Sequence, residues 1–250
     1  MRVRHWSIWP RSASVLLCAL AVTSSGLVLA DGFTVTPVRI YMTPKDRAVA
    51  ITVTNDGDNE LVMQADLFQW KQTPEGQDDL IPTEEMFLAP PIVKIPAKSR
   101  QVVRLARISR EMPSEQLTYR MIVREIPEAR KPTGDSSEVQ FALAFNMPVF
   151  ITSPQAKPKL DCTIARATAN AVKAVCANTG TAHIHPVKLE LSDRSGQVLA
   201  HDDNGGYILS SITRSYELNR QDAKIPGGPG KLAVSLADGT VQDFDVNIAD

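Results

Sequence analysis

The sequence predicts an all-β protein built from two sandwich domains. From Phe33 onward, short apolar alternations are broken by turn residues, and scarcely any stretch keeps a helical period for about a dozen residues. Removing residues 1–30 as an export signal leaves 220 of the 250 residues, which suits two domains of roughly 100 residues each. Residues 154–158 form a stiff, polar joint, where we place the boundary between the domains 31–154 and 155–250.

The N-terminus has the pattern of an export signal. Arg2, Arg4 and Arg11 make a basic start, and residues 13–30 are almost wholly apolar. We expect cleavage after Ala30 and no stable membrane insertion afterwards, because a spanning helix needs about 20 apolar residues; a retained anchor is the alternative. Cleavage removes three arginines and no acid, so the net charge changes from −1 to −4. This mild acidity argues against nucleic acid as a partner.

Turn residues divide the first half into short strands. Residues 48–54 and 61–71 flank the turn Asn-Asp-Gly-Asp-Asn at 55–59, which predicts a local hairpin. Further strands are expected at 92–95, 101–105 and 117–126. These breaks come at the spacing typical of a sandwich.

The strand predicted at 139–147 has the cleanest alternation in the chain. Its apolar face carries Val139, Phe141, Leu143, Phe145 and Met147. Pro148 is expected to interrupt the hydrogen-bonding ladder. From the pattern alone, this apolar row suits the protein's own core and a partner's groove equally well.

The second half repeats the pattern of short strands. They are expected at 160–164, 171–177, 187–191, 208–212, 231–236 and 241–248. Asp238 and Gly239 predict a hairpin between the last two. Cys162 and Cys176 remain after signal cleavage, and export makes a disulfide between neighbouring strands the simplest interpretation. Two reduced structural cysteines are the alternative.

Catalytic or metal-binding groups do not converge in the sequence. His183 and His185 share one face of a predicted strand, but no third ligand is spaced nearby, so we expect exposed strand-end histidines. No Gly-x-Ser-x-Gly motif is present. The sequence therefore predicts a protein that is not an enzyme and needs neither metal nor cofactor.

Three segments resemble the PapD-like periplasmic pilus chaperones. Residues 117–127 read Leu-Thr-Tyr-Arg-Met-Ile-Val-Arg-Glu-Ile-Pro, similar to the family's strand ending in Arg-Glu-Ile-Pro. Residues 88–97 contain the Pro-Pro segment, and 101–105 follow as Gln-Val-Val-Arg-Leu. Residues 35–40 resemble the first strand, with Arg39 at the position of an anchoring arginine.

The resemblance implies two immunoglobulin-like sandwiches set at an angle and a periplasmic chaperone of the chaperone–usher pathway. Such a protein stabilises pilin subunits by donor-strand complementation and delivers them to an outer-membrane usher. The implied donor residues are Val139, Phe141, Leu143, Phe145 and Met147. Arg39 would bind the pilin's terminal carboxylate, whereas the family's second anchor, usually a lysine, has no counterpart in 146–151.

The apolar donor row is a liability on a free chaperone. We expect it to be hidden by self-association as a homodimer or by the loop 127–137 until pilin arrives. A secreted two-domain immunoglobulin-like adhesion or scaffold protein is the alternative function. It would not release its ligand to an assembly platform.

Overall fold

The structure is a computed structural model that describes residues 32–109, 113–127, 142–221 and 223–249. The predicted signal lies outside the described residues. Every regular element in the described part is a β-strand, which confirms the all-β fold class. None of these residues belongs to a helix long and apolar enough to cross a membrane.

The first sandwich consists of two sheets. In chain order its strands are β1 (Phe33–Thr36), β2 (Ile40–Met42), β3 (Ala48–Asn55), β4 (Leu61–Gln72), β5 (Asp78–Pro82), β6 (Met86–Ala89), β7 (Ile92–Ile95), β8 (Arg100–Arg107), β9 (Leu117–Glu125) and β10 (Ala144–Ile151). The first sheet has the order β1-β3-β8-β6. The second has the order β2-β10-β9-β4-β5, and β7 also pairs with β4. Fully buried side chains such as Ile51, Leu105 and Met121 fill the space between them.

The local hairpin predicted around residues 55–59 is wrong, because β3 and β4 lie in different sheets. β3 pairs with β1 and β8, whereas β4 pairs with β5, β7 and β9. The buried amide of Asn55 donates hydrogen bonds to the carbonyls of Asn59, Ile95 and Pro96 at 2.8, 3.0 and 3.1 Å. These bonds tie the end of β3 to the turn and to the end of β7, so the turn connects the sheets.

The second sandwich is built from one continuous sheet around its own core. Its strands are β11 (Leu160–Thr168), β12 (Ala171–Asn178), β13 (Pro186–Asp193), β14 (Val198–Asp202), β15 (Thr213–Asn219), β16 (Gly228–Leu236) and β17 (Val241–Ile248). Their order is β11-β12-β15-β14-β13-β16-β17. The core of the first sandwich ends at Ile151 and that of the second begins at Leu160.

Most predicted strands of the second half are present, with one clear error. The hairpin at Asp238 and Gly239 is confirmed: it joins β16 to β17, and Gly239 has a φ of 88° that favours glycine. The strand predicted at 208–212 is wrong, because Ile208 forms only an isolated bridge with Ile184. The regular strand there is β15, and β14 was not predicted at all.

The predicted disulfide is confirmed. Cys162 on β11 and Cys176 on β12 are direct cross-strand partners, and their Cα atoms are 4.1 Å apart. The bond joins adjacent strands of one sheet, where it limits the freedom of the unfolded chain.

Asn178, at the end of β12, plays the part in the second sandwich that Asn55 plays in the first. Its side-chain amide donates to the carbonyls of Ala182, Ile208 and Leu209 at 2.8, 3.0 and 3.1 Å. Its side-chain oxygen accepts from the Gly180 N–H at 3.0 Å, as that of Asn55 does from the Gly57 N–H. The two halves thus share a structural device that their sequences did not reveal as a repeat.

We expect Asn178→Ala to lower the free energy of unfolding by about 3 kcal/mol, because three buried carbonyls lose their donor. Urea denaturation of the oxidised protein measures the change. Asn170→Ala is the matched control, since Asn170 lies in an exposed turn and its loss should cost less than about 0.5 kcal/mol. Equal losses in the two variants would contradict the structural role of Asn178.

Candidate functional site

One edge of β10 is only partly paired. β10 pairs with β9 along its whole length, including Pro148, so the prediction that this proline interrupts the ladder is wrong. A proline on an edge strand omits only one donor. On its other edge β10 pairs in parallel with β2, and only at residues 149–151. Among the described residues no strand pairs with this edge of 144–148, which we call the free edge.

The apolar face of β10 changes from exposed to buried along the strand. Leu143, just before β10, is 48% exposed. Phe145 is half-buried, and its ring centroid lies 5.1 Å from that of Phe33 on β1. Met147 is 1% exposed and belongs to the core of the first sandwich.

These positions divide the predicted donor residues into three groups. Val139 and Phe141 lie outside the described residues, so their role stays a prediction. Leu143 and Phe145 lie beside the free edge, within reach of an added strand. Met147 was also predicted to be a donor residue, but its side chain is buried in the core of the first sandwich.

Arg39 lies at the end of the free edge. It immediately precedes β2, and the pairing of Ile40 with Val149 brings residue 39 beside Pro148. Arg39 is exposed and lines a cleft of about 410 Å³ between the two sandwiches. Burial raises the pKa of Tyr207 in the second sandwich, and the charge of the Arg39 guanidinium lowers it. A strand added to the free edge and running parallel to β10 would therefore end at Arg39.

Five aromatic rings join the two sandwiches beside this cleft. Trp70 and Phe150 come from the first sandwich and are buried. His183 stacks on Phe150 with 3.8 Å between ring centroids, and His185 stacks on Tyr207 at 3.9 Å. Tyr207 also meets the edge of Trp70 at 5.2 Å. Such contacts stabilise the interface beyond the area that they bury.

The region around these rings is electropositive. The guanidinium carbon of Arg120 on β9 lies 3.6 Å from the ring centroid of Trp70, and Arg120 pairs with Asp78 at 3.1 Å. Burial, followed by the charges of Arg39, Arg120 and Arg214, lowers the pKa of His185. Arg39 lines the cleft itself, and its charge favours an anion there.

The two histidines are not the exposed strand-end residues that the sequence predicted. His183 is half-buried, and both its backbone N–H and its Nδ1 contact the Gln116 side-chain oxygen, at 2.9 and 2.8 Å. Burial above all, then His185 and Arg39, lowers the pKa of His183 to about 4. The sequence could not reveal this environment, because the stacking partner Phe150 belongs to the other sandwich.

Two glutamine side chains also bridge the sandwiches. Gln72 donates to the Tyr207 carbonyl at 3.0 Å and accepts from the Leu209 N–H at 2.9 Å. Gln116 donates to the Thr152 hydroxyl at 2.6 Å while it holds His183. These bonds help to hold the cleft walls in place.

The histidines do not form part of a metal centre in the described portion of the chain. His183 and His185 stack on different rings. Within the described ranges, no group of three or more His, Cys, Asp or Glu residues is arranged to hold a metal ion. The site therefore consists of a free strand edge that leads to the cleft lined by Arg39.

Solved chaperone structures share this fold across both sandwiches. A chain of the CsuC–CsuE chaperone–tip adhesion subunit pre-assembly complex from Acinetobacter baumannii is 20% identical with a TM-score of 0.64, covering 88% of this chain and 100% of that one. The E. coli chaperone DraB is 19% identical with a TM-score of 0.56, over 88% and 97%. A chain of the Salmonella enterica SafA pilin–SafB chaperone complex is 13% identical with a TM-score of 0.57, over 86% and 96%.

These similarities confirm the two-domain immunoglobulin-like fold, and a family match goes further. No curated protein sequence matches the chain significantly. Residues 32–157, half of the chain, match the family described as pili and flagellar-assembly chaperone, PapD N-terminal domain. The chain therefore belongs to the PapD family of pili and flagellar-assembly chaperones.

Proposed function

We propose that this protein binds pilin subunits and stabilises them by donor-strand complementation, without catalysing a reaction. The observation that carries this proposal is the free edge of β10, which leads to Arg39. Membership of the pilus-chaperone family supports pilin as the class of client.

The free edge would provide the backbone hydrogen bonds to the pilin. A pilin that lacks its last strand exposes an apolar groove and unpaired backbone groups. A pilin strand that pairs with residues 144–148 would satisfy those groups, because the N–H and C=O groups on the free edge of β10, which point away from β9, have no strand partner among the described residues. Leu143 and Phe145, with Val139 and Phe141 before them, would fill the groove. Each buried side chain contributes about 1.5 to 3 kcal/mol before ordering costs.

Arg39 would bind the terminal carboxylate of the pilin. A strand parallel to β10 would bring its terminal carboxylate to the cleft in which the Arg39 guanidinium lies. A planar guanidinium can bind a carboxylate with two parallel, charge-assisted hydrogen bonds. This bond would also fix the register of the added strand, which backbone pairing alone specifies poorly.

The cellular setting is part of the same proposal. Residues 1–30 would act as an export signal, and the mature protein, with domains 31–154 and 155–250, would work in the periplasm. There it would deliver pilins to an outer-membrane usher. Without a client, the apolar segment beside the free edge would be covered by a second copy of the chaperone, giving a homodimer that dissociates when pilin binds.

Co-expression with each pilin of the source bacterium tests the proposal. We expect one pilin to be recovered from the periplasm as a one-to-one complex with the chaperone, and to be degraded or aggregated when the chaperone is absent. Native mass spectrometry gives the stoichiometry. Equal recovery of every pilin with and without the chaperone would refute the proposal.

A further inference from the structure

The end of β10 has no cationic side chain that could bind the client's terminal carboxylate together with Arg39. Residues 146–151 are uncharged, and Pro148 is the residue beside Arg39. A single exposed arginine binds a carboxylate only modestly, because water competes for both groups. A second cationic group, if the site has one, must come from another wall of the cleft.

The second sandwich places His185 on that wall. His185 and Arg39 line the same cleft. The ring of Tyr207 lies under the imidazole of His185, with 3.9 Å between the ring centroids and an angle of 20°. Beside the larger effect of burial, Arg39 lies near enough to both side chains for its charge to lower the pKa of each. His185 is half-buried, which leaves part of the imidazole open to a ligand in the cleft.

Three other side chains close to these rings are already engaged. Arg120 is nearly buried, lies over Trp70 and pairs with Asp78. Arg214 directs a guanidinium N–H toward the carbonyl of Tyr207, at 3.4 Å. His183 is held by Gln116 and stacked on Phe150.

We propose that His185, seated on Tyr207, is the second partner of the client's terminal carboxylate, so that the carboxylate site is completed by the second sandwich. This inference rests on the proposed function and names the anchoring residue that the sequence left unassigned. The two sandwiches would then contact the carboxylate from two walls of one cleft.

The charges around His185 determine how binding should depend on pH. Arg39, Arg120 and Arg214 lower its pKa, as does burial, so the imidazole is neutral in the free protein near neutral pH. Its ring neighbours His183 and Tyr207 are also uncharged there, since burial lowers the pKa of the first to about 4 and raises that of the second.

Asp238, the acid in the cleft lining, does not shift the pKa of His185. Its carboxylate accepts hydrogen bonds from the backbone and the hydroxyl of Thr240 at 2.9 and 2.7 Å, whereas the pKa of His185 is set by burial and by the three arginines. A bound carboxylate would therefore raise the pKa of His185, and the complex would take up a proton. Because the bound state then holds more protons than the free state, affinity should rise as the pH falls toward the ordinary histidine value of 6.5.

The test compares two synthetic peptides that cover the last strand of the pilin recovered by co-expression. One ends in a free carboxylate and the other in an amide, and calorimetry gives both dissociation constants at roughly pH 5.5 and 7.5. We expect the wild-type chaperone to prefer the acid, more strongly at the lower pH. His185→Gln should reduce that preference about tenfold at the lower pH and remove its pH dependence. His185→Lys should keep the preference at both pH values.

His201→Gln is the matched control, because His201 is an exposed histidine of the same sandwich. It should behave like the wild type. A His185→Gln variant that keeps the wild-type preference for the acid and its pH dependence would overturn this inference. If Arg39→Ala loses that preference in the same experiment, the proposed function still stands. Equal binding of acid and amide by the wild type would instead contradict carboxylate anchoring as a whole.

Discussion

Leu143→Glu is expected to weaken pilin binding by at least about 100-fold while the chaperone stays folded and exported. Leu143 is 48% exposed in the free protein, so the substitution removes little of the chaperone's own core. In the complex, the glutamate would enter an apolar groove that has no group to compensate its desolvation. The variant also loses the burial of the leucine, worth about 1.5 to 3 kcal/mol.

Two neighbouring substitutions make this experiment decisive. Ala144→Glu adds the same charge on the opposite, exposed face of the strand, so it should retain most of the pilin. Met147→Glu places the charge in the core and should unfold the chaperone. Export level, thermal melting and pilin co-purification are measured for all three variants. A Leu143→Glu variant that is folded and still holds pilin would show that this side chain is a bystander.

Arg39→Ala is expected to lower affinity for pilin by about 10- to 100-fold, because a charge-assisted, bidentate bond contributes about 1.5 to 3 kcal/mol. The fold should remain intact, since Arg39 is exposed and follows β1 in a segment without regular structure. Competition binding with the co-purified pilin measures the change. A pilin lengthened by one residue at its C-terminus has its carboxylate displaced from Arg39, so Arg39→Ala and the wild type should bind it with equal affinity.

Arg104→Ala controls for the loss of a positive charge alone. Arg104 is exposed on β8, in the sheet that does not contain β10, and its removal should leave pilin affinity unchanged. If Arg39→Ala and Arg104→Ala bind pilin equally well, Arg39 does not belong to the site. High salt should weaken wild-type binding only partly, because a bond enclosed by the cleft is less screened than a surface pair.

The local sequence pattern was sufficient to predict much of the fold. The alternation of apolar residues and the turn residues identified most strands, since a strand buried on one face shows a period of two in its sequence. Asp238 and Gly239 identified a hairpin because two-residue turns require backbone conformations that few residues adopt. Cys162 and Cys176 could be paired because the predicted export signal and their spacing favour a disulfide between neighbouring strands.

Pairing between distant segments could not be read from the same pattern. The turn at 55–59 has the composition of a hairpin, yet β3 pairs with β8 and β4 pairs with β9 in different sheets. The buried amide of Asn55 bonds to the carbonyls of Asn59 and Ile95, which joins the turn to the end of β7. Ile208 has strand-forming neighbours, but its segment makes a single bridge. These outcomes depend on which backbone groups find partners far away in the sequence.

The candidate site also has some features that the sequence predicts and others that only the tertiary structure determines. The sequence by itself determined the all-β class, the apolar row that includes Leu143 and Phe145, and Arg39 as the candidate anchor, because each depends on neighbouring residues or on a short motif. Only the tertiary structure decided that Met147 faces the core, that β10 has an unpaired edge, and that His185 shares a cleft with Arg39. Burial, edge pairing and the convergence of charges from two sandwiches are set by long-range packing, which no local pattern encodes.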